Sequence, residues 1–208
     1  YTAEIDGDKF PKGVLITDDI VINGNGHTIS GNDSHRIFYI TADATLRNIT
    51  FINGHVSAAF DNGGAIYYNF NGGKLNVINS TFIDNDATGS MSRGGAIYVE
   101  KGVPIIEGSR FYNNSAATNG GAICFWRADG EINGSYFENN TATGQSGGAI
   151  NLAVGGNVTN CGFVDNHAFM TNGAAIAAGG NNIYIANSTF VGINLIAITG
   201  TATLENNT

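Results

Sequence analysis

Two short signatures return along this chain at nearly constant spacing, and a fixed period of that kind limits the fold more than any single residue does. The first is Gly63-Gly64-Ala65-Ile66, repeated at 94–97, 120–123 and 147–150 and relaxed to Gly173-Ala174-Ala175-Ile176. The second is an aromatic followed three residues later by asparagine, as in Phe82/Asn85, Phe111/Asn114, Phe137/Asn140 and Phe163/Asn166. After Ile97 the equivalent isoleucines fall at 123, 150 and 176, steps of 26, 27 and 26, whereas Ile66 to Ile97 spans 31 because 86–93 is longer. The offset from isoleucine to the next phenylalanine stays between 13 and 16. Both signatures therefore belong to one rigid unit of about 26 residues, and added length goes into the polar stretch before the next glycine pair, where loops tolerate it.

A unit this short lacks the four strands of a propeller blade, and it has no Leu-x-x-Leu-x-Leu frame. Only 12% of the residues are charged, there are 30 glycines and two prolines, and the apolar residues stand singly between Asn and Gly instead of in helical stripes. The expected fold is all-β: a right-handed, single-stranded parallel β-helix of about seven coils. Register extended backwards puts His35-Arg36-Ile37-Phe38 in the Gly-Gly-Ala-Ile slot and an earlier coil at 13–34. Strand alternation turns Ile66/Tyr68, Ile97/Val99, Ile123/Phe125 and Ile150/Leu152 inward. Leu46, Val77, Ile106, Ile132, Val158 and Ile185, each five before the aromatic, form a second inward column. Ile49, Ser80, Ser109, Ser135, Cys161 and Ser188, two before it, form a third, in which Cys161 reads as a small buried hydrophobe. The glycine pair suits a corner needing positive φ or close backbone approach. The asparagine three after the aromatic suits a left-handed turn position and a side-chain amide ladder.

Residues 1–12 read as an N-terminal cap over the open strand edge. The β-helix domain then runs over 13–208, ends in a shortened coil at 195–204, and is expected to be a piece of a longer surface protein. A net charge of −8 and nine unclustered Lys and Arg argue against nucleic acid. No stretch reaches the length of a membrane span, so no membrane insertion is expected within this segment. Cys124 should point outward on a different strand from Cys161, which argues against a disulfide between them.

The pairing of Gly-Gly-Ala-Ile with Phe-x-x-Asn resembles the repeats of chlamydial polymorphic outer-membrane proteins and of the large adhesin-like proteins of methanogenic archaea. The run 22–31, Ile-Asn-Gly-Asn-Gly-His-Thr-Ile-Ser-Gly, followed by Leu46-Arg47-Asn48-Ile49-Thr50-Phe51, is particularly similar to the methanogen proteins. The resemblance implies an extracellular, cell-surface β-helix that presents one long side to a glycan or protein of another cell. It brings no catalytic residues and no cofactor, and the expected state is a monomer.

Three functions follow as expectations: an adhesion or interaction module, a polysaccharide lyase or glycoside hydrolase on the same fold, or a passive stalk. Glycoside hydrolysis needs two carboxylates at short separation. The column two after the aromatic offers Asp84 and Asp165, three coils apart, which is ~14 Å at the inter-strand spacing. Asp84 and Asp86 share one turn, where a loose calcium site is conceivable, but solvated turn carboxylates are the plainer reading. His27, His35, His55 and His167 stand singly. The outward positions after the glycine pair carry Tyr39, Tyr67, Tyr98 and Trp126, an aromatic strip over four coils with Glu100 and Arg127 beside it. Such rings suit sugars or partner anchors; the competing reading is surface aromatics that cover strands. Asn-x-Ser/Thr sequons occur at Asn32, Asn48, Asn79, Asn113, Asn133, Asn139, Asn157, Asn187 and Asn206, several of them products of the repeat itself.

Overall fold

A computed structural model describes residues 2–4, 12–169, 173–192 and 195–208. Among these residues there is no helix; parallel strands stack as a β-solenoid of about seven turns, about 26 residues apart. Three parallel sheets run along the stack. One of eight strands carries the phenylalanines, one of 13 carries the strands after the glycine pair together with the aliphatic column, and one of five carries pairs such as Ser115–Ala116. Every pairing is parallel and joins equivalent positions: Phe51, Phe82, Phe111, Phe137, Phe163 and Phe190 are direct neighbours from coil to coil. The backward register holds as well, since Phe38 pairs with Ile66 and Val14 with Phe38. At the far end Ile196–Ile198 and Ala202–Glu205 continue both rows of the large sheet. In the middle coils the two rows are continuous strands, Ile66–Ile78, Ile97–Glu107 and Ile123–Asn133, longer than the short strands expected. They cross the corner by register shifts between Val99 and Val103, as bulged strands do.

The expected cap at 1–12 lies largely outside the described residues. Within it, Thr2–Glu4 pair with Thr28–Ser30 at the edge of the phenylalanine sheet.

Inside the solenoid each column is a physical ladder. From Phe51 to Phe190 the rings stack with centroids 4.7 to 5.0 Å apart and planes within 13° of parallel. Burying each is worth ~2–3 kcal/mol, and ring contact adds ~0.5–1.5 kcal/mol. The aliphatic column from Leu46 to Ile185 is sealed from solvent.

The polar columns are ordered just as strictly. In the serine column each hydroxyl donates to the carbonyl two residues before it, Ser109 to Glu107 at 3.0 Å, and accepts the amide N–H of the coil below, Ser80 to Ser109 at 3.2 Å. Cys161 is buried as expected but acts as a serine stand-in rather than a mere hydrophobe: its thiol donates to the Thr159 carbonyl at 3.1 Å.

The asparagine ladder forms, with a correction. Asn114 Nδ2 donates to the Phe82 carbonyl and to Asn140 Oδ1, at 3.1 and 2.9 Å, while its Oδ1 accepts both the backbone N–H and the Nδ2 of Asn85. These asparagines, however, do not hold the left-handed conformation. The positive φ falls one residue earlier, at Asn53, Asp84, Asn113, Asn139 and Asp165, with φ between 49° and 55°. The two demands of the turn, a left-handed backbone and a buried amide, thus fall on neighbouring residues. The glycine pair differs in backbone but not in crowding. Gly120 alone has a positive φ, 66°, but both glycines are closely packed: a Cβ on Gly120 would sit 2.1 Å from the Ile123 carbonyl oxygen and one on Gly121 2.1 Å from that of Gly148.

Replacing Asn114 by Ala should therefore cost about 3 kcal/mol, because it strands buried backbone groups on two coils. Asn113→Gly should be nearly neutral and Asn113→Val should cost ~1–2 kcal/mol. Urea midpoints of the three variants check this order.

Candidate functional site

Strand alternation places Tyr39, Tyr67 and Tyr98 on the outer face of the large sheet, and their rings run as a stack with centroids 4.9 and 5.4 Å apart. The expected exposed strip of four is nevertheless corrected in two respects. Tyr98 is only 1% exposed. Trp126 does not continue the column, because Cys124 is the residue paired with Tyr98 and Trp126 stands two positions further along.

What covers this face is a set of side chains from the polar connections. Arg36, 4% exposed, donates through Nε to the carbonyls of Asn62 and Gly63 and through Nη1 to that of Lys12, and it pairs with Asp61. Its guanidinium carbon lies 5.3 Å from the Tyr67 ring centroid and 6.0 Å from that of Tyr39. Arg93 sets its guanidinium 4.1 Å over Trp126. These are cation–π distances, and they engage much of the ring surface from within the molecule.

Glu100 and Arg127 meet one another: Arg127 Nη1 lies 3.2 Å from Glu100 Oε1, and Glu100 Oε2 accepts the Tyr98 hydroxyl at 2.5 Å. Burial, together with that carboxylate, raises the Tyr98 hydroxyl far above its ordinary value. Burial and the Glu100 charge also push Tyr67 up to about 12. Both phenols are neutral donors at physiological pH. Of the six residues expected on this face, Tyr39, Tyr67, Trp126 and Glu100 are half-buried, Arg127 is exposed and Tyr98 is enclosed.

Other candidates disperse. Asp84 sits at a left-handed turn, while Asp86 bonds His55 Nδ1 from the next coil. His167 lies in the same column as His55, four pairings further along. Among the described residues no three or more His, Cys, Asp and Glu are grouped to hold a metal ion. Cys124 is outward on its strand yet sealed from solvent, and both thiols are free.

Sequence reasoning passed over the outer face of the phenylalanine sheet. Residues flanking each buried phenylalanine must point away from the core, and at the central coils these are Arg110 and Tyr112, then Tyr136 and Glu138. Tyr112 and Tyr136 lie diagonally across adjacent strands with ring centroids 6.1 Å apart and planes at 55°. With Arg110 they border an open groove of ≈ 600 Å³. Slight burial and the Glu138 carboxylate beside it raise the Tyr136 hydroxyl above its usual pKa. Reading the columns one before and one after each phenylalanine would have found this group.

Residues 108–125 match the family described as the Chlamydia polymorphic membrane protein repeat. The matched segment contains both signatures, Phe111-x-x-Asn114 and 120–123, and they stand in register with those of the other coils. The chain therefore carries β-helix repeats similar to those of this family. No curated protein matches the chain.

Arg36→Ala should lower stability by about 3 kcal/mol, since it leaves the Asn62 and Gly63 carbonyls without a partner. Arg36→Lys should recover less than half of the loss, lacking the planar fork; thermal melts compare them. Burial pushes Cys124 up to about 12 and Cys161 to about 11, and only a thiolate reacts readily. A thiol reagent at pH 8 should therefore label neither cysteine in the native protein and both in denaturant.

Proposed function

We propose that this solenoid is an extracellular, cell-surface interaction module: a rigid rod whose side presents a binding face to a glycan or protein of another cell. The observation that carries the reading is the strict coil-on-coil register from Phe51 to Phe190, joined to a repeat of surface-protein type. A stack held by full-length ladders of backbone and side-chain bonds transmits position along its axis, as solenoids with extended binding surfaces do. Its repeated motifs are consumed by that task. Gly-Gly forms corners, Phe stacks and Asn ladders, so the motifs themselves supply no catalytic group.

The reading also accounts for the acidic balance, which suits a soluble exposed surface. On the large sheet, partner contact would fall to the rims of Tyr39, Tyr67 and Trp126 and to Arg127 with Glu100, while Tyr98 supports the stack from beneath. The two carboxylates of the turn column, Asp84 and Asp165, lie three coils apart, too far for the paired acid and base of a hydrolase.

Beads coated with the folded domain should attach to a panel of intact bacterial, archaeal and animal cells more than beads coated with a β-solenoid of unrelated sequence. Attachment no greater than that control overturns the module in favour of a stalk. Release of reducing ends or unsaturated products from acidic polysaccharides would replace it with the enzyme reading.

A further inference from the structure

In a repeat protein, each column states what the fold requires, so departures from a column that the backbone does not demand point to another use. Three columns of the phenylalanine sheet depart together. One before the aromatic, the series runs Thr50, Thr81, Arg110, Tyr136, Gly162, Thr189; one after, it runs Ile52, Ile83, Tyr112, Glu138, Val164, Val191. Three before, it runs Asn48, Asn79, Gly108, Gly134, Asn160, Asn187. The exceptions fall on consecutive coils and on one outer surface.

None of the three glycines is required by its backbone. Asn holds the same left-handed conformation in this column at φ 48° to 56°, against 57° for Gly108 and 58° for Gly134. A Cβ on Gly134 would meet nothing closer than 4.0 Å, and one on Gly108 would meet only the end of the Asn79 side chain, its oxygen at 2.4 Å, which would have to turn aside. The glycines therefore clear two amide side chains from the surface beside Arg110 and Tyr136. At Gly162 a Cβ would meet only the Tyr136 ring, at 2.8 Å, so this glycine makes room for the ring to lie over the next strand. The result is the groove of ≈ 600 Å³ bordered by the two tilted tyrosines, within the ~300–1,000 Å³ of ligand sites. Arg110 is exposed and, among the described residues, has neither an ion pair nor a side-chain hydrogen bond.

We propose that this groove binds an acidic oligosaccharide, with sugar rings on Tyr112 and Tyr136 and a carboxylate on Arg110; the assignment rests on the module reading and names its ligand class. The groove's lining is polar apart from the two rings, which leaves no pocket for an apolar peptide anchor. A pyranose has the matching surface, a C–H face for an aromatic ring and hydroxyls for its edges. Glu138, beside Tyr136, accepts those hydroxyls. The guanidinium supplies the planar double donor that a carboxylate takes, on a protein whose net charge of −8 would otherwise repel an anionic glycan.

An array of neutral, uronate-bearing and sialate-bearing oligosaccharides, probed with the whole chain, tests the assignment. Wild type should bind acidic members. Tyr112→Ala and Tyr136→Ala should each weaken binding at least tenfold, and Arg110→Gln should do so while equalising acidic and neutral members. Gly134→Asn restores the residue that other coils carry, so it should keep the wild-type melting temperature and still block the groove. Absence of acidic-glycan binding, binding of neutral members alone, or binding unchanged in Gly134→Asn overturns the platform. Cell attachment that persists in the Tyr112→Ala/Tyr136→Ala double variant also overturns it while leaving the module reading standing; failure of the wild-type domain to attach to cells removes the module reading.

Discussion

The structure depends on one constraint: every coil must offer its backbone N–H and C=O groups to the coils on either side at matching positions. Strands satisfy this along their length. The corners are where a coil would otherwise leave buried polar groups without partners, and those are the places where the sequence is least free. Asn85, Asn114 and Asn140 close one corner by bonding the phenylalanine carbonyl of the coil below and the asparagine amide of the coil above, and Asn166 ends the ladder on the Phe137 carbonyl. The serine column closes another. A buried donor or acceptor left open costs ~1–3 kcal/mol, and a repeated defect would multiply that cost along the rod.

From this constraint follows the separation between scaffold and surface. Inward and corner positions are committed to ladders, so chemistry is left to the outward positions and to the connections whose length varies. On the large sheet the connections reclaim the outer face: Arg36 and Arg93 lie against Tyr67 and Trp126, and the aromatic row becomes largely a second layer of packing. On the phenylalanine sheet Tyr112 and Tyr136 keep a ring pair beside an open groove. Two aromatic rows with similar composition thus have different fates, decided by what lies over them.

Much of the molecule was legible in the residues. The period, the inward columns, the backward register through Phe38 and the shortened last coil all follow from local alternation and from equal spacing between equivalent residues. The assignment of positive φ to the ladder asparagines failed by one residue. Asn-Asn and Asp-Asn pairs such as 113–114 and 84–85 give no sign of which member turns the chain and which bonds the next coil. The candidate surface was half legible: outward direction could be read from alternation, but exposure could not.

By itself the sequence determined that the chain winds in register and which side chains fill its interior, because a translational repeat makes each coil's local pattern the global one. Only the tertiary structure decided which outward rings meet solvent. That outcome depends on arginines reaching across to rings of other coils, and on glycines in one strand making room for a side chain of its neighbour. Such contacts join residues a full coil apart and break the repeat, so no periodic reading contains them.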